Sequence, residues 1–86
     1  MAEIRIYTAA MCPFCYRAVK LLEKKGVSFS EIDVTYDPEA RRAMARESGG
    51  AATVPQVFVG NKHIGDCDFI MGLERSGKLD AALGLN

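Results

Sequence analysis

The 86-residue chain carries eleven basic and eleven acidic side chains, interspersed rather than blocked, so its formal charge at pH 7 is zero. That balance excludes a phosphate-backbone binder and a polybasic membrane anchor as function classes. A chain this short buries only about 60–65% of its unfolded surface, so one small domain over residues 1–86 is expected, with every long apolar stripe needed for its core.

The opening residues, MAEIRIYT, hold charges at Glu3 and Arg5, with no long apolar run and no small-residue cleavage pattern. Neither a signal peptide nor a membrane span is expected, and the expected compartment is the cytoplasm. Residues 3–7, EIRIY, alternate as a strand does, with Ile4 and Ile6 facing one side and Arg5 and Tyr7 the other. A helix follows, in which Cys15, Ala18, Val19 and Leu22 fall at i, i+3, i+4 and i+7 while Arg17, Lys20 and Lys24 take the opposite side. Gly26 closes it, since a residue without a β-carbon readily adopts the left-handed conformation at a helix end.

Residues 27–34, VSFSEIDV, are rich in β-branched and aromatic side chains and read as a second strand. The alternation slips between Val27/Phe29 and Ile32/Val34, which predicts a strand covered on both faces. Asp37 then caps a helix with Pro38 at its first position, an inner stripe of Ala40, Ala43 and Met44, and a stop at Gly49-Gly50. Residues 56–60 and 62–65 form short strands joined through Gly60-Asn61, a pair suited to the positive φ angles of a hairpin turn. A helix is expected over 67–76 with Phe69, Ile70 and Leu73 inward, and a last helical stripe of Leu79, Ala82 and Leu83 in the tail. The order β-α-β-α-β-β-α-α predicts an α/β fold. Its first two strands are parallel with a right-handed crossover, its last two form an antiparallel hairpin, and helices cover both faces of a four-stranded mixed sheet.

Chemistry concentrates in AAMCPFCYRA, residues 9–18. Cys12 falls where strand gives way to helix, and Pro13 suits the first helical position because its missing N–H would be unpaired there anyway. Free amide N–H groups and the helix dipole favour an anion at that point, and the thiolate is the nucleophile of disulfide exchange. Cys15 lies about one turn on, where its side chain can face Cys12 and attack a mixed disulfide formed there. Two other readings remain open. Both thiols could be buried packing groups, and Cys12, Cys15, His63 and Cys67 have the number and type of ligands for tetrahedral zinc. Against zinc, the first pair opens a helix rather than a loop knuckle, and His63 falls in a strand; no metal is expected.

Three segments in order, IYTAAMCPFCYRA, TVPQVFV and HIGDCDF, resemble the dithiol glutaredoxins of bacterial type, over essentially the whole chain. The resemblance implies a thioredoxin fold and a glutathione-dependent thiol-disulfide oxidoreductase with Cys12 and Cys15 as its catalytic redox disulfide. It further implies that glutathione, a co-substrate rather than a tightly bound cofactor, lies along Phe14, Thr53, Val54, Pro55, Gly65, Cys67 and Asp68. Pro55 would be cis and would leave the Val54 backbone free to pair with an extended peptide. The N–H groups of Cys67 and Asp68 would take the γ-glutamyl carboxylate, and the Asp68 side chain its ammonium.

Some positions depart from the family pattern: Asp66 stands for a glycine, Phe69 for an aspartate, and Ala9 for a lysine. GGAAT, residues 49–53, lacks the usual cation, which leaves Arg17 or Arg46 to compensate. Expected partners are glutathione and disulfide-containing or glutathionylated proteins, ribonucleotide reductase among them by family similarity, with the chain a monomer. Two alternatives carry over: a redoxin recharged by a thioredoxin-type reductase, and an iron-sulfur cluster-binding glutaredoxin.

Overall fold

A computed structural model describes residues 3–85; residues 1, 2 and 86 of the predicted 1–86 domain lie outside the described residues. Strands β1 (Ile4–Thr8), β2 (Phe29–Asp33), β3 (Gln56–Val59) and β4 (Lys62–Gly65) alternate with helices α1 (Pro13–Lys24) and α2 (Pro38–Glu47), and α3 (Cys67–Arg75) and α4 (Leu79–Ala82) follow. The sheet order is β2-β1-β3-β4, with β2 parallel to β1 and the other neighbours antiparallel. Parallel β1 and β2 need a crossover, which α1 supplies.

Two cores sandwich the sheet. Ile4 and Ile6 pack on one face with Ala18, Leu21 and Leu22 of α1, Ile70 of α3, and Leu79 and Leu83 at the tail. Tyr7 and Phe58 pack on the other face with Val34 and Met44 of α2. Each fully buried Ile or Leu side chain contributes about 1.5–3 kcal/mol, so losing any one from so small a core is costly. Arg5 lies on the Tyr7 face as its alternation requires. Its guanidinium donates to Gly60 O at 2.9 Å, pairs with Glu47 at 3.2 Å and stacks 5.0 Å from the Phe58 ring centre.

Three expectations need correction. Strand β2 is a sheet edge with Ser30, Glu31 and Asp33 exposed, not a strand covered on both faces. The slip in its alternation has a different cause: Val27 and Phe29 join the α1 core, whereas Ile32 and Val34 join the α2 core. Phe69 is 55% exposed rather than inward, because Cys67 and Ile70 take the buried side of α3 and the next residue round the helix turns away. At the hairpin Gly60 alone takes a positive φ, 59°, so the turn has its glycine first and asks nothing unusual of Asn61.

One ionic cluster joins three helices. Lys25, just past α1, reaches Glu74 of α3 at 2.6 Å and Asp80 of α4 at 2.7 Å. The bonds to Asp80 first and Glu74 second hold the Lys25 proton more tightly than in an ordinary lysine, whose value is 10.5. A raised folded value means that the stabilisation is complete below the unfolded value and is lost as pH rises through the higher, folded one. Lys25→Met is therefore expected to lower the thermal midpoint at pH 8 and to flatten the decline in stability above pH ~10.4 that wild type shows, read by circular dichroism melts across pH.

Candidate active site

The turn at residues 9–11 delivers the chain from the centre of the sheet to α1. Met11 has φ 59° and a side chain 98% exposed, an uncommon conformation that a tether helps to hold. Ala10 N–H donates to Thr35 Oγ1 at 2.7 Å, and the Thr35 hydroxyl and N–H both donate to Asp33 Oδ1, at 2.6 and 2.8 Å. Those two bonds, the hydroxyl one foremost, hold the Asp33 carboxyl below its usual range. Thr35 was not among the predicted site residues. The signal available was Asp-x-Thr after a strand, a pattern suited to an aspartate accepting from the backbone two residues on.

Cys12 is the N-cap of α1, with extended backbone at φ −120° and ψ 98° and Pro13 at the next position. Its sulfur accepts the Cys15 N–H at 3.2 Å, as a Ser or Asp oxygen would at another helix start. The thiol is half-buried and its Sγ lies 4.0 Å from the Val54 carbonyl oxygen. Cys15, by contrast, is only 4% exposed. Burial, reinforced by its hydrogen bond with Cys12, pushes its thiol up to about 12. Position alone thus gives the two sulfurs different chemistry: one accessible and served by an amide, one sealed and protonated.

Beside Cys12 runs a groove of about 180 Å³, lined by Phe14 of α1, by Thr53, Val54 and Pro55, and by Asp66, Cys67 and Asp68 at the start of α3. The Val54–Pro55 bond is cis and Pro55 is buried. Among the described residues, no backbone partner takes the Val54 N–H. Six of the seven residues expected to hold glutathione therefore line one surface. Gly65 does not. It is buried with φ 145°, and a β-carbon there would come within 2.7 Å of the Phe69 ring, so its part is to let α3 fold back over the strand end. Asp66, named only as a departure, does line the groove, and it caps α3 by accepting Phe69 N–H at 3.0 Å. Cys67 is 3% exposed; burial, then the Asp68 charge, pushes its thiol up, while Arg17 pulls the other way.

Of the cations considered as replacements, Arg46 lies with Asp37, Glu39 and Arg42 on the outer side of α2, away from the groove. Arg17 is the predicted cation whose charge is felt at a groove residue, Cys67. Arg41, which was not considered, donates from Nη1 to Ala52 O at 2.9 Å, one residue before Thr53. On a polar helix face it reads in sequence as one more solvated charge. The four residues with zinc-ligand spacing do not converge. His63 Nε2 pairs with Gln56 Oε1 at 2.6 Å and its ring lies 5.0 Å from Phe58, in the α2 core, whereas Cys67 belongs to the α1 core. Among the described residues no three His, Cys, Asp or Glu side chains gather as a metal site, and no helix is long and apolar enough to cross a membrane.

The glutaredoxin family model matches residues 4–64. The chain belongs to the glutaredoxin family. It is 51% identical over 83 residues to a glutaredoxin of Pseudomonas aeruginosa, covering 96% of this chain and 98% of that one. The solution structure of glutaredoxin from Brucella melitensis superposes with a TM-score of 0.84 at 46% identity, covering 99% and 91% of the two chains. A buckwheat glutaredoxin–glutathione complex superposes with a TM-score of 0.82 at 34% identity, covering 96% of this chain and 77% of that one. This glutaredoxin is accordingly a thiol-disulfide oxidoreductase with a thioredoxin fold, and its family uses glutathione as substrate. Its thiols should separate under alkylation: at pH 7 iodoacetamide is expected to label Cys12 alone, with Cys15 and Cys67 labelled only after unfolding, as peptide mass spectrometry would read.

Proposed function

We propose that this glutaredoxin reduces protein disulfides and protein-glutathione mixed disulfides at the expense of glutathione, with Cys12 as the attacking and Cys15 as the resolving sulfur. The observation that carries the reading is the amide of Cys15 donated to Cys12 Sγ at 3.2 Å, on a half-buried thiol 4.0 Å from the carbonyl of the groove residue Val54. A donor aimed at the sulfur stabilises the negative charge it carries when it attacks. Attack on a substrate disulfide joins Cys12 to one substrate sulfur and releases the other as thiolate. Cys15 then displaces the bound sulfur, leaving the Cys12–Cys15 disulfide, and two glutathione thiols restore the dithiol while becoming oxidised glutathione.

Glutathione is an extended tripeptide, and the groove offers complementary groups along such a path. The free Val54 N–H suits a strand-like backbone pairing, and Phe14 gives an apolar wall. The first N–H groups of α3 suit a carboxylate, and the exposed carboxylate of Asp68 an ammonium. Arg41, held against Ala52 O one residue before Thr53, offers a cation in place of the one that Ala9 and residues 49–53 lack. The buckwheat complex supports the same ligand class for this fold. Three cysteines, an odd count with one close pair, suit a reducing compartment such as the cytoplasm.

Two measurements test the assignment. Cys12→Ser is expected to abolish turnover of both a glutathionylated peptide and a protein disulfide, whereas Cys15→Ser keeps the first and loses the second. Retention of either activity in Cys12→Ser would remove it from the nucleophile's role. Arg41→Ala is expected to raise KM for the glutathionylated peptide about fivefold with little change in kcat, as loss of one charge-assisted contact to bound substrate would.

A further inference from the structure

The resolving step poses a problem that the groove does not answer. Cys15 must attack as a thiolate, yet it is buried and bonded to Cys12, and its proton is held far above neutral pH. A second cavity, of about 450 Å³, is lined by both cysteines together with Thr8 and Glu31. Glu31 stands level with Ile6 in the parallel register of β1 and β2, so it shares with Ile6 and Thr8 the sheet face on which α1 packs. Thr8 is 3% exposed and its hydroxyl donates to Glu31 Oε2 at 2.9 Å, which fixes a carboxylate at the rim of this cavity. The Glu31 side chain itself is exposed.

We propose that Glu31 is the proton acceptor for Cys15 in the resolving step, acting across this cavity and held in position by Thr8. The inference rests on the dithiol reading above and adds a residue to it. When Cys12 is in mixed disulfide with a substrate sulfur, Cys15 Sγ attacks Cys12 Sγ. The bond from Cys12 to the substrate breaks, its electron pair leaves with the substrate thiolate, and the Cys15 proton passes to the Glu31 carboxylate through water in the cavity. Being open to solvent, Glu31 hands the proton on to bulk water or to the departing thiolate, so it is restored within the cycle. The substrate sulfur is reduced and the Cys12–Cys15 pair oxidised, with no further reagent.

Other ionisable groups around the cavity are already engaged or set apart. Lys20 and Glu23 of α1 pair with each other at 3.3 Å, with the Lys20 ammonium 5.3 Å over the Tyr16 ring, and Asp33 accepts from Thr35. A purely electrostatic part for Glu31 makes the opposite prediction. Its negative charge disfavours the Cys15 thiolate, so removing that charge would make Cys15 a more available nucleophile and speed resolution.

The decisive comparison is Glu31→Gln, which keeps the side-chain shape and an oxygen for Thr8. Release of a thiol peptide from its mixed disulfide with Cys12 is followed in single turnover from pH 6 to 9, beside deglutathionylation, which does not need Cys15. Resolution at pH 7 is expected to slow about 10- to 100-fold, with deglutathionylation unchanged within about twofold. The variant's resolution rate should also climb about tenfold per pH unit where wild type is flatter, because hydroxide replaces the lost acceptor. Resolution as fast as or faster than wild type, or an equal fall in both activities, would overturn the proposal. Cys15→Ser serves as the reference: if it resolves the mixed disulfide as wild type does, the dithiol reading itself fails, whatever Glu31→Gln shows.

Discussion

A backbone N–H donated to a sulfur organises this molecule's chemistry. The Cys15 amide is one of the unpaired donors that every helix start leaves over, and Cys12 occupies the place where a Ser or Asp side chain would ordinarily accept it. Folding α1 therefore aims a donor at the Cys12 sulfur without any further side chain. The same turn of helix carries Cys15 inward onto the apolar stripe, where burial keeps its proton on. One helix start gives the two thiols different surroundings, and at its far end α1 is joined to α3 and α4 through Lys25, Glu74 and Asp80.

Much of this was legible from residue order. The cap at Cys12, Pro13 behind it, and the 15-18-22 stripe are local patterns, and local geometry is what a helix start and an amphipathic face depend on. Gln56-Val57-Phe58-Val59 and Lys62-His63-Ile64-Gly65 were likewise bounded by a two-residue turn, which sets Val59 opposite Lys62 and Phe58 opposite His63 before an irregularity shifts the register at Val57. What failed was decided by position in the sheet. Whether β2 is central or at an edge depends on which strands flank β1, and its composition is compatible with either. Phe69 was misplaced for a related reason: as a large apolar residue adjacent to Ile70 it satisfies any short inward stripe. Only the docking of α3, with Cys67 and Ile70 inward, determines which of the two faces out.

The groove shows the same division between local and assembled features. Thr53, Val54, Pro55, Cys67 and Asp68 come from segments with a readable pattern, and the fold brings them to one surface. Arg41 and Thr35 do not announce themselves. A guanidinium on a polar helix face and a threonine in a loop are the commonest of solvated residues, and each matters only through a partner distant in sequence, Ala52 for one and Ala10 for the other. Asp66 has two roles that sequence could weigh only separately. It caps α3 through Phe69 N–H and it adds a carboxylate to the groove wall beside Asp68, so the end that would receive a carboxylate also carries two negative side chains. A ligand seated there must bring its own cation close to them, which a peptide with a free α-amino group does.

Edge position gives β2 a further consequence. A strand buried on both faces could not carry Glu31 without a partner for its charge, whereas at the sheet edge the carboxylate keeps contact with water while one oxygen accepts a proton from the buried Thr8 hydroxyl. The slip in the alternation of residues 27–34 is what permits this arrangement. Val27 and Phe29 pack toward α1, Ile32 and Val34 toward α2, and the polar residue between them is left on the α1 side, near the buried thiol. Cys12 lies 4.0 Å from the Val54 carbonyl at the groove wall, and both sulfurs contribute to the cavity that has the Glu31 carboxylate at its rim. A carboxylate that keeps contact with water is thereby placed on the same cavity as the buried Cys15 thiol.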